Sequence, residues 1–412
     1  MAVRAPHLYR SLRCFCLAAF SLLDADVERG DEIPFAFEEH SGGLHEYRPL
    51  MRSYVDARGE RLGVLADARI AVEELSREPA AAVYASAHVG RPGPRGDEAL
   101  LRTILLPLLA DVAQAAGGVD WSDEAFDRAY AAFEGTLLGE RRAYAAVAPL
   151  VGLSVGARLE LGDGLRIRHA AAGELAAHWP EASGLLPSGF GREPERLCLL
   201  ELERTLERDA AAVPDAPAEL ADVVSALRLA TAAPVAAGPV LFERLDWRPL
   251  GIRPVLPIAA TEPAGEATRL DAFRARLAAD LLERLGRAED DPELAEALDR
   301  WELSLFAEEP FRSEQLREAL TALLGGPDGL WAATVRAAVL LGETGRERAD
   351  ELEHLRSLAR GDRAGRAATD AVRKAVVETL AHGDRATLIA SLDDALIGAR
   401  PRPAGYFAAL AS

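Results

Sequence analysis

The chain has 412 residues, with 47 Lys and Arg against 66 Asp and Glu, for a formal net charge of −19. That length predicts two or three domains, each able to bury its own core. A composition of 49% hydrophobic and 27% charged residues excludes wholesale disorder. Lys374 is the only lysine and sits in Val-Arg-Lys-Ala-Val, which excludes a phosphate-binding loop of the G-x-x-x-x-G-K-[ST] kind. A Schiff-base enzyme would have to use that same residue, which reads as an exposed helical cation.

The acidic balance argues against a general nucleic-acid binder and leaves room only for a local basic groove. Cys14, Cys16 and Cys198 are the only cysteines. One residue between the first two is poor geometry for a bridge, so no disulfide and a reducing, cytoplasmic compartment are expected. Arg4, Arg10 and Arg13 before the apolar run Cys14–Leu23 imitate a secretory leader. Asp24-Ala-Asp-Val-Glu follows with no Ala-x-Ala site, so a buried N-terminal helix is expected instead. The longest uncharged apolar stretches, Ala143–Ala157 and Leu229–Phe242, fall short of the roughly 20 residues a membrane span needs.

In chain order, Phe35-Ala-Phe-Glu-Glu-His and Leu44-His-Glu-Tyr flank Ser41-Gly42-Gly43 and predict a hairpin. Its Glu38, Glu39, His40, His45 and Glu46 are the densest set of metal-type side chains, with His40 and His45 as expected cross-strand neighbours. A zinc or iron site takes three or four convergent ligands, and no third histidine lies close by, so an exposed polar tip is the reading taken and no metal is expected. His169, Glu174 and His178 are scattered in the same way. Val64–Leu75 reads as a helix, and Gly90–Gly96 as a breaker-rich boundary loop. Leu100–Ala115 is strongly apolar, with a kink expected at Pro107. Trp121-Ser122-Asp-Glu-Ala-Phe126 starts another helix: Ser122 as N-cap, Trp121 and Phe126 as a hydrophobic staple, and Asp123 and Glu124 at the positive helix end. Phe126, Tyr130 and Phe133 share its core face.

The middle reads as β-rich. Arg158-Leu-Glu-Leu, Gly162-Asp-Gly164 and Leu165-Arg-Ile-Arg form a hairpin pattern; Leu197–Leu202 and Val240–Ile258 add strand-like runs. Pro249 and Pro254 point to edge strands. Gly152-Leu-Ser154-Val-Gly156 matches the G-x-S-x-G nucleophile elbow, but Ala157-Arg-Leu-Glu-Leu continues into the hairpin and opens no helix. A serine hydrolase using Ser154 is therefore kept only as an alternative.

From Glu266 onward the pattern is helical. Asp291-Pro292-Glu293 starts one helix, lined by Leu294, Leu298, Trp301 and Leu305. Ser313-Glu-Gln opens the next, which Gly325-Gly326-Pro327 closes. Trp331–Leu341, Arg346–Leu358, Thr369–Leu380 and Arg385–Leu396 follow at short spacing, which implies an antiparallel bundle. The fold class is thus α+β, predominantly helical: a mixed region over 1–92, a helical pair with a β-rich middle over 97–262, and an all-α bundle over 266–402.

Leu298-Asp-Arg-Trp-Glu302, Glu314–Leu324 and Val335-Arg-Ala-Ala-Val-Leu-Leu-Gly342, with Val372-Arg-Lys-Ala and Leu392-Asp-Asp-Ala-Leu-Ile-Gly398, resemble in order the helices of Apea-like HEPN domains. These are small all-α modules of prokaryotic defence and nucleotide-binding proteins, and the resemblance covers about the last third of the chain. It implies a bundle that commonly forms homodimers. Catalytic members of that superfamily cleave RNA without a metal, using Arg and His four to six residues apart. The arginine stabilises phosphorane charge and the histidine moves a proton. In the Apea-like branch the pair reads Arg-Ser, three residues, His-Gly. Here Leu355-Arg356-Ser357-Leu-Ala-Arg360-Gly361 is one residue shorter and has arginine where histidine would stand. Arginine stays protonated and cannot act as a base near neutral pH.

The expectation is a non-catalytic binding or assembly protein needing no cofactor, with Arg356, Ser357, Arg360 and Arg363 as candidate phosphate or nucleotide contacts. They lie in a basic run, Arg356–Lys374, whose six cations face only Asp362 and Asp370. Arg348 and His354, with five residues between them, are the residual candidates for an active ribonuclease. A scaffold for an unidentified protein partner is the remaining alternative.

Overall fold

The computed structural model describes residues 4–40, 44–88, 96–139, 141–171, 174–175, 179, 182–187, 197–207, 214–246, 248–256, 260 and 266–407. The first core is helical. Helix α1 (Pro6–Glu28) buries Leu8, Leu12, Phe15, Ala19 and Leu23 along one face, the 3–4 spacing of a helix packed from one side. The hairpin β1 (Phe35–His40) and β2 (Leu44–Pro49) pairs as expected, but His40 stands opposite Leu44 and His45 opposite Glu39. The two histidines are therefore not register partners; their side chains, and His178, lie outside the described residues, as does the loop 89–95.

Helices α2 (Met51–Asp56), α3 (Gly59–Gly63), α4 (Ala66–Ser76) and α5 (Pro79–His88) follow. Next comes α6 (Asp97–Ala116), one helix long and apolar enough to cross a membrane but mostly buried inside the protein. A π-turn over Leu101–Leu105 precedes Pro107, whose missing N–H and bulky ring disturb the α-ladder there. In α7 (Asp123–Leu138) the sequence reading holds: the Ser122 hydroxyl accepts the Ala125 amide at 3.2 Å, and the Trp121 and Phe126 rings lie 5.6 Å apart.

Asp26, buried near the end of α1, fastens this part. Arg61 donates to it at 2.7 and 2.9 Å and Arg58 at 3.2 Å, with Arg29 as a third partner. Arg61 foremost, with Arg29 and Arg58, overcomes the cost of burial and holds the Asp26 carboxyl down to about 2.

The second core is built on a seven-stranded antiparallel sheet. Its strands are β3 (Arg141–Val151), β5 (Leu159–Gly162), β6 (Leu165–Arg168), β7 (Cys198–Glu207), β8 (Ala236–Ala237), β9 (Val240–Leu245) and β10 (Arg248–Pro254). The order β10-β9-β3-β7-β6-β5 puts proline-bearing β10 at one edge, where a missing N–H costs no ladder bond. The β5–β6 turn has Asp163 and Gly164 at φ 44° and 68°, the left-handed pair a two-residue hairpin uses. A Cβ on Gly164 would lie 2.2 Å from the Glu203 carbonyl oxygen, so only glycine fits. Central β3 was not foreseen, because both its faces are buried and no apolar–polar alternation survives. Its Pro149 sits where the partner changes from β9 to β8, and its own carbonyl accepts the Gly238 amide at 2.7 Å. The three residues of β4 (Leu153–Val155) pair in parallel with β11 (Thr268–Leu270).

One face of the sheet carries a small cluster of Val147, Trp179, Leu199 and Phe242. The other carries α8 (Ala216–Thr231) and, in the same continuous core, the closing helices. These are α9 (Ala272–Glu289), α10 (Pro292–Phe306), α11 (Phe311–Leu324), α12 (Gly329–Leu341), α13 (Gly345–Ala359), α14 (Arg366–His382) and α15 (Arg385–Leu396). The buried residues of the first core end at Leu137, and those of the second begin at Tyr144. Helices α6 and α7 share the first core, and the bundle shares the core of the sheet. Asp291 caps α10 as expected, accepting the Glu293 and Leu294 amides at 3.1 Å. Helix α11 starts two residues before Ser313, whose hydroxyl instead donates to Glu309 and accepts the Ala364 amide.

The two layers are joined through charge. Arg228 of α8 is fully buried; it donates to Glu302 of α10 at 2.8 Å and to the Val235 carbonyl at 2.7 Å, and stacks on Phe306. Burial pushes the Glu302 carboxyl up and the Arg228 guanidinium down, so each charge depends on the other. Removing one partner leaves an uncompensated buried charge, worth about 3–5 kcal/mol. Arg228→Met should lower the urea midpoint accordingly, and adding Glu302→Leu should recover most of the loss; a double variant no better than the single would contradict this. Asp26 offers an acid-side test. Its folded-state value lies below the ordinary one near 4, so its contribution is complete above about pH 4 and is lost as pH falls toward 2. Thermal melts of Asp26→Asn between pH 5 and 2 should show a lower plateau and a shallower acid decline than the wild type.

Candidate functional site

The motif helix α13 begins at a capping box: the Thr344 hydroxyl accepts the Glu347 amide at 3.2 Å and Glu347 accepts the Thr344 amide at 3.1 Å. Only Leu355 and Leu358 of this helix are buried, and Arg348, Glu351, Leu352, Arg356, Ser357 and Ala359 are half-buried. It ends at Arg360, and Gly361 at φ 92° turns the chain back, with the Asp362 amide reaching the Ser357 carbonyl at 3.1 Å. A short exposed stretch, 361–363, leads on to α14, whose N-terminus has no side-chain cap and no acidic residue in its first turn.

Arg356 and Arg360 are four residues apart and share one face of α13. The Arg356 guanidinium lies 5.7 Å from the centre of the Trp331 ring, and its contact with Glu353 is long, at 3.8 Å. Trp331, on the first turn of α12, is 52% exposed. Arg360, Arg363 and Arg366 are exposed and have no carboxylate partner among the described residues. Trp331 and Arg356 thus lie side by side, and Arg360, Arg363 and Arg366 follow, exposed, through the α13–α14 turn. A half-open indole offers a flat face to a base or other planar group, and unpaired guanidiniums offer forked donors to phosphate oxygens.

The rest of the basic run is used structurally. Arg373 donates to the Leu229 carbonyl at 2.8 Å and pairs with Asp370 at 2.8 Å, while Lys374 pairs with Asp370 at 3.0 Å. Ser357, next to Arg356, gives its hydroxyl hydrogen to the His354 carbonyl at 2.9 Å. Arg336 of the Arg-Ala-Ala-Val-Leu-Leu-Gly run is buried, held by Asp393 at 2.7 and 2.9 Å and by Asp328 at 2.7 Å. Its fourth bond, to the Leu324 carbonyl at 2.9 Å, closes α11.

The residual ribonuclease pair is not assembled within one chain. Arg348 is engaged with the Gly342 and Glu343 carbonyls, and His354 is exposed on the outer side of α13. Six residues along one helix is about 9 Å of rise and roughly 120° of rotation, which points the two side chains apart. Ser154 lies within β4, paired to Arg269, and a bend followed by β5 comes after Gly156. The strand-to-helix turn of a nucleophile elbow is therefore missing.

Several other polar clusters are engaged internally. Arg166 and Arg168 pair with Glu201 at 2.7 Å, and with Glu203 and Glu174 respectively. Buried Tyr144 donates to Glu243, which Arg253 also holds at 2.7 Å. Burial pushes the Asp246 carboxyl up to about 6, while it accepts the Ala143 amide at 3.0 Å and so ties the β9–β10 turn to β3. An open cleft of about 530 Å³ beside α1 and α7 holds Tyr9 on Asp127 and Arg13 on Asp123, both at 2.6 Å. No group of three or more metal-type ligands occurs among the described residues. The three thiols are free, Cys14 exposed and the others buried, with burial pushing Cys198 up to about 12.

Sequence reasoning missed Trp331, whose place in an alanine- and leucine-rich helix reads as core. The signal was its position on the first turn after Gly329, where one side of a helix can remain uncovered. Comparison with protein-family models, curated proteins and solved structures gives no match to this chain.

Proposed function

We propose that this chain is a non-catalytic binding or assembly module of HEPN-like type, cytoplasmic and homodimeric, that contacts nucleotides or single-stranded RNA through Trp331, Arg356, Arg360 and Arg363. One observation carries the reading. Among the described residues an exposed indole stands beside Arg356, and Arg360, Arg363 and Arg366, which follow along the chain, have no carboxylate partner. Base stacking on an aromatic side chain contributes about 1–3 kcal/mol, and guanidiniums neutralise phosphates. The position of the branch's histidine holds Arg360, which cannot take up a proton, so the surface binds without cutting.

Anisotropy of a fluorescein-labelled 12-nucleotide RNA at low salt tests this, with ATP as a competing mononucleotide arm. Trp331→Ala should weaken binding about 5- to 150-fold. Engagement of three phosphates would give log affinity a slope against log salt of about −2, and Arg360→Glu with Arg363→Glu should flatten it. Binding that ignores these variants, or no binding, contradicts the surface; RNA cleavage that Arg356→Ala abolishes contradicts the non-catalytic reading.

A further inference from the structure

After α15 the chain passes through Gly398, Pro401, Pro403 and Gly405 without regular structure until Tyr406. This stretch nevertheless binds the bundle at two points. Arg402 donates to the Leu340 carbonyl at 3.0 Å and pairs with Glu343 at 3.1 Å, at the end of α12. Four residues on, the backbone amides of Tyr406 and Phe407 both donate to the carboxylate of Glu378 in α14, at 2.6 and 3.1 Å. Glu378 is itself only 5% exposed. The Tyr406 hydroxyl donates to Asp280 of α9, and the Arg284 and Arg373 guanidiniums lie over the Tyr406 and Phe407 rings at 5.3 and 5.8 Å.

This is how a groove recognises a peptide. A buried carboxylate reads two successive main-chain amides, two cations read the aromatic faces, and a distant contact fixes direction. The receptor side rests on helices with bonds of their own: Arg373 on the Leu229 carbonyl and Asp370, Arg284 on Asp280 and the Ala381 carbonyl. The ligand side makes no helix or sheet ladder between Gly398 and Gly405, and Pro403 stiffens its extended form.

We propose that the groove of α9, α12 and α14 is a peptide-binding site whose ligand is the Arg-Pro-Ala-Gly-Tyr-Phe stretch of residues 402–407, bound here in cis and replaceable by the same stretch of a second copy of this chain. A tethered ligand competes at an effective concentration near millimolar, so the wild type is largely self-occupied. The double variant Tyr406→Ala with Phe407→Ala, made in the whole 412-residue chain, vacates the aromatic contacts.

A fluorescein-labelled Arg-Pro-Ala-Gly-Tyr-Phe peptide should bind this variant at least about tenfold more tightly than it binds the wild type. Glu378→Gln in the same background should cost about tenfold or more, because one of the charge-assisted amide contacts is lost. A folded double variant that does not bind the peptide overturns the proposal. Hydrogen exchange on the wild type decides independently if that variant does not fold. The Tyr406 and Phe407 amides should exchange by local opening, well ahead of Val376 and Val377 in α14. Exchange of all four only through global unfolding would show that the stretch never leaves its groove, and the proposal would fail.

Discussion

The buried pair of Arg228 and Glu302 is the contact on which the larger part of this molecule depends. It joins α8, which covers the sheet, to α10 of the bundle, and both side chains are almost wholly buried there. Two isolated layers could each have hidden such residues only at great cost; facing one another they force the layers into one core. Arg228 also holds the Val235 carbonyl, which sets the turn from α8 into β8 and so the position of the strand beside β3. At the very next residue, Arg373 on the Leu229 carbonyl docks α14 onto the same helix end. The bundle's outer face is therefore placed by contacts on its inner face.

That docking explains how one basic run comes to hold two kinds of arginine. Residues after Asp370 turn inward and are consumed by carbonyl and carboxylate partners. Residues from Arg356 to Arg366 remain at the rim, where the chain leaves α13 and enters α14. An acidic protein would ordinarily cover such a group with carboxylates, as it does on β6 and β7. On the proposed reading, the uncovered Arg360, Arg363 and Arg366 supply an electrostatic term for a negatively charged partner, and Trp331 supplies area that charge alone does not. In the HEPN-like reading proposed above, guanidinium at Arg360 in place of a titratable imidazole would preserve attraction to phosphate and remove proton transfer.

Local rules were legible wherever a short segment decides its own conformation. Ser122, Trp121 and Phe126 specify a helix start among themselves, Asp291 and Pro292 do the same, and Asp163-Gly164 specifies a tight hairpin. The strand β3 and the helix α8 were not legible, because burial on several sides erases the alternation or stripe that marks a half-exposed element. Ser313 looked like a helix cap and serves instead as a bridge to Ala364, a partner 51 residues away that no local pattern announces. For the site, the arginines were visible as a run, but which of them stay free is set by Leu229, Asp370 and Trp331. Those neighbours come from other turns and other helices, so only the packed structure separates the spent charges from the open ones.

The most direct test of the central claim is photocrosslinking of the native protein to a 5-bromouridine-substituted single-stranded RNA, followed by mass spectrometry of the joined peptides. A principal crosslink at Trp331 is expected, with flanking attachment on the peptide that spans Arg356 to Arg366. Crosslinks confined to another surface, such as the cleft beside α1 and α7, or none at a saturating RNA concentration, would contradict it.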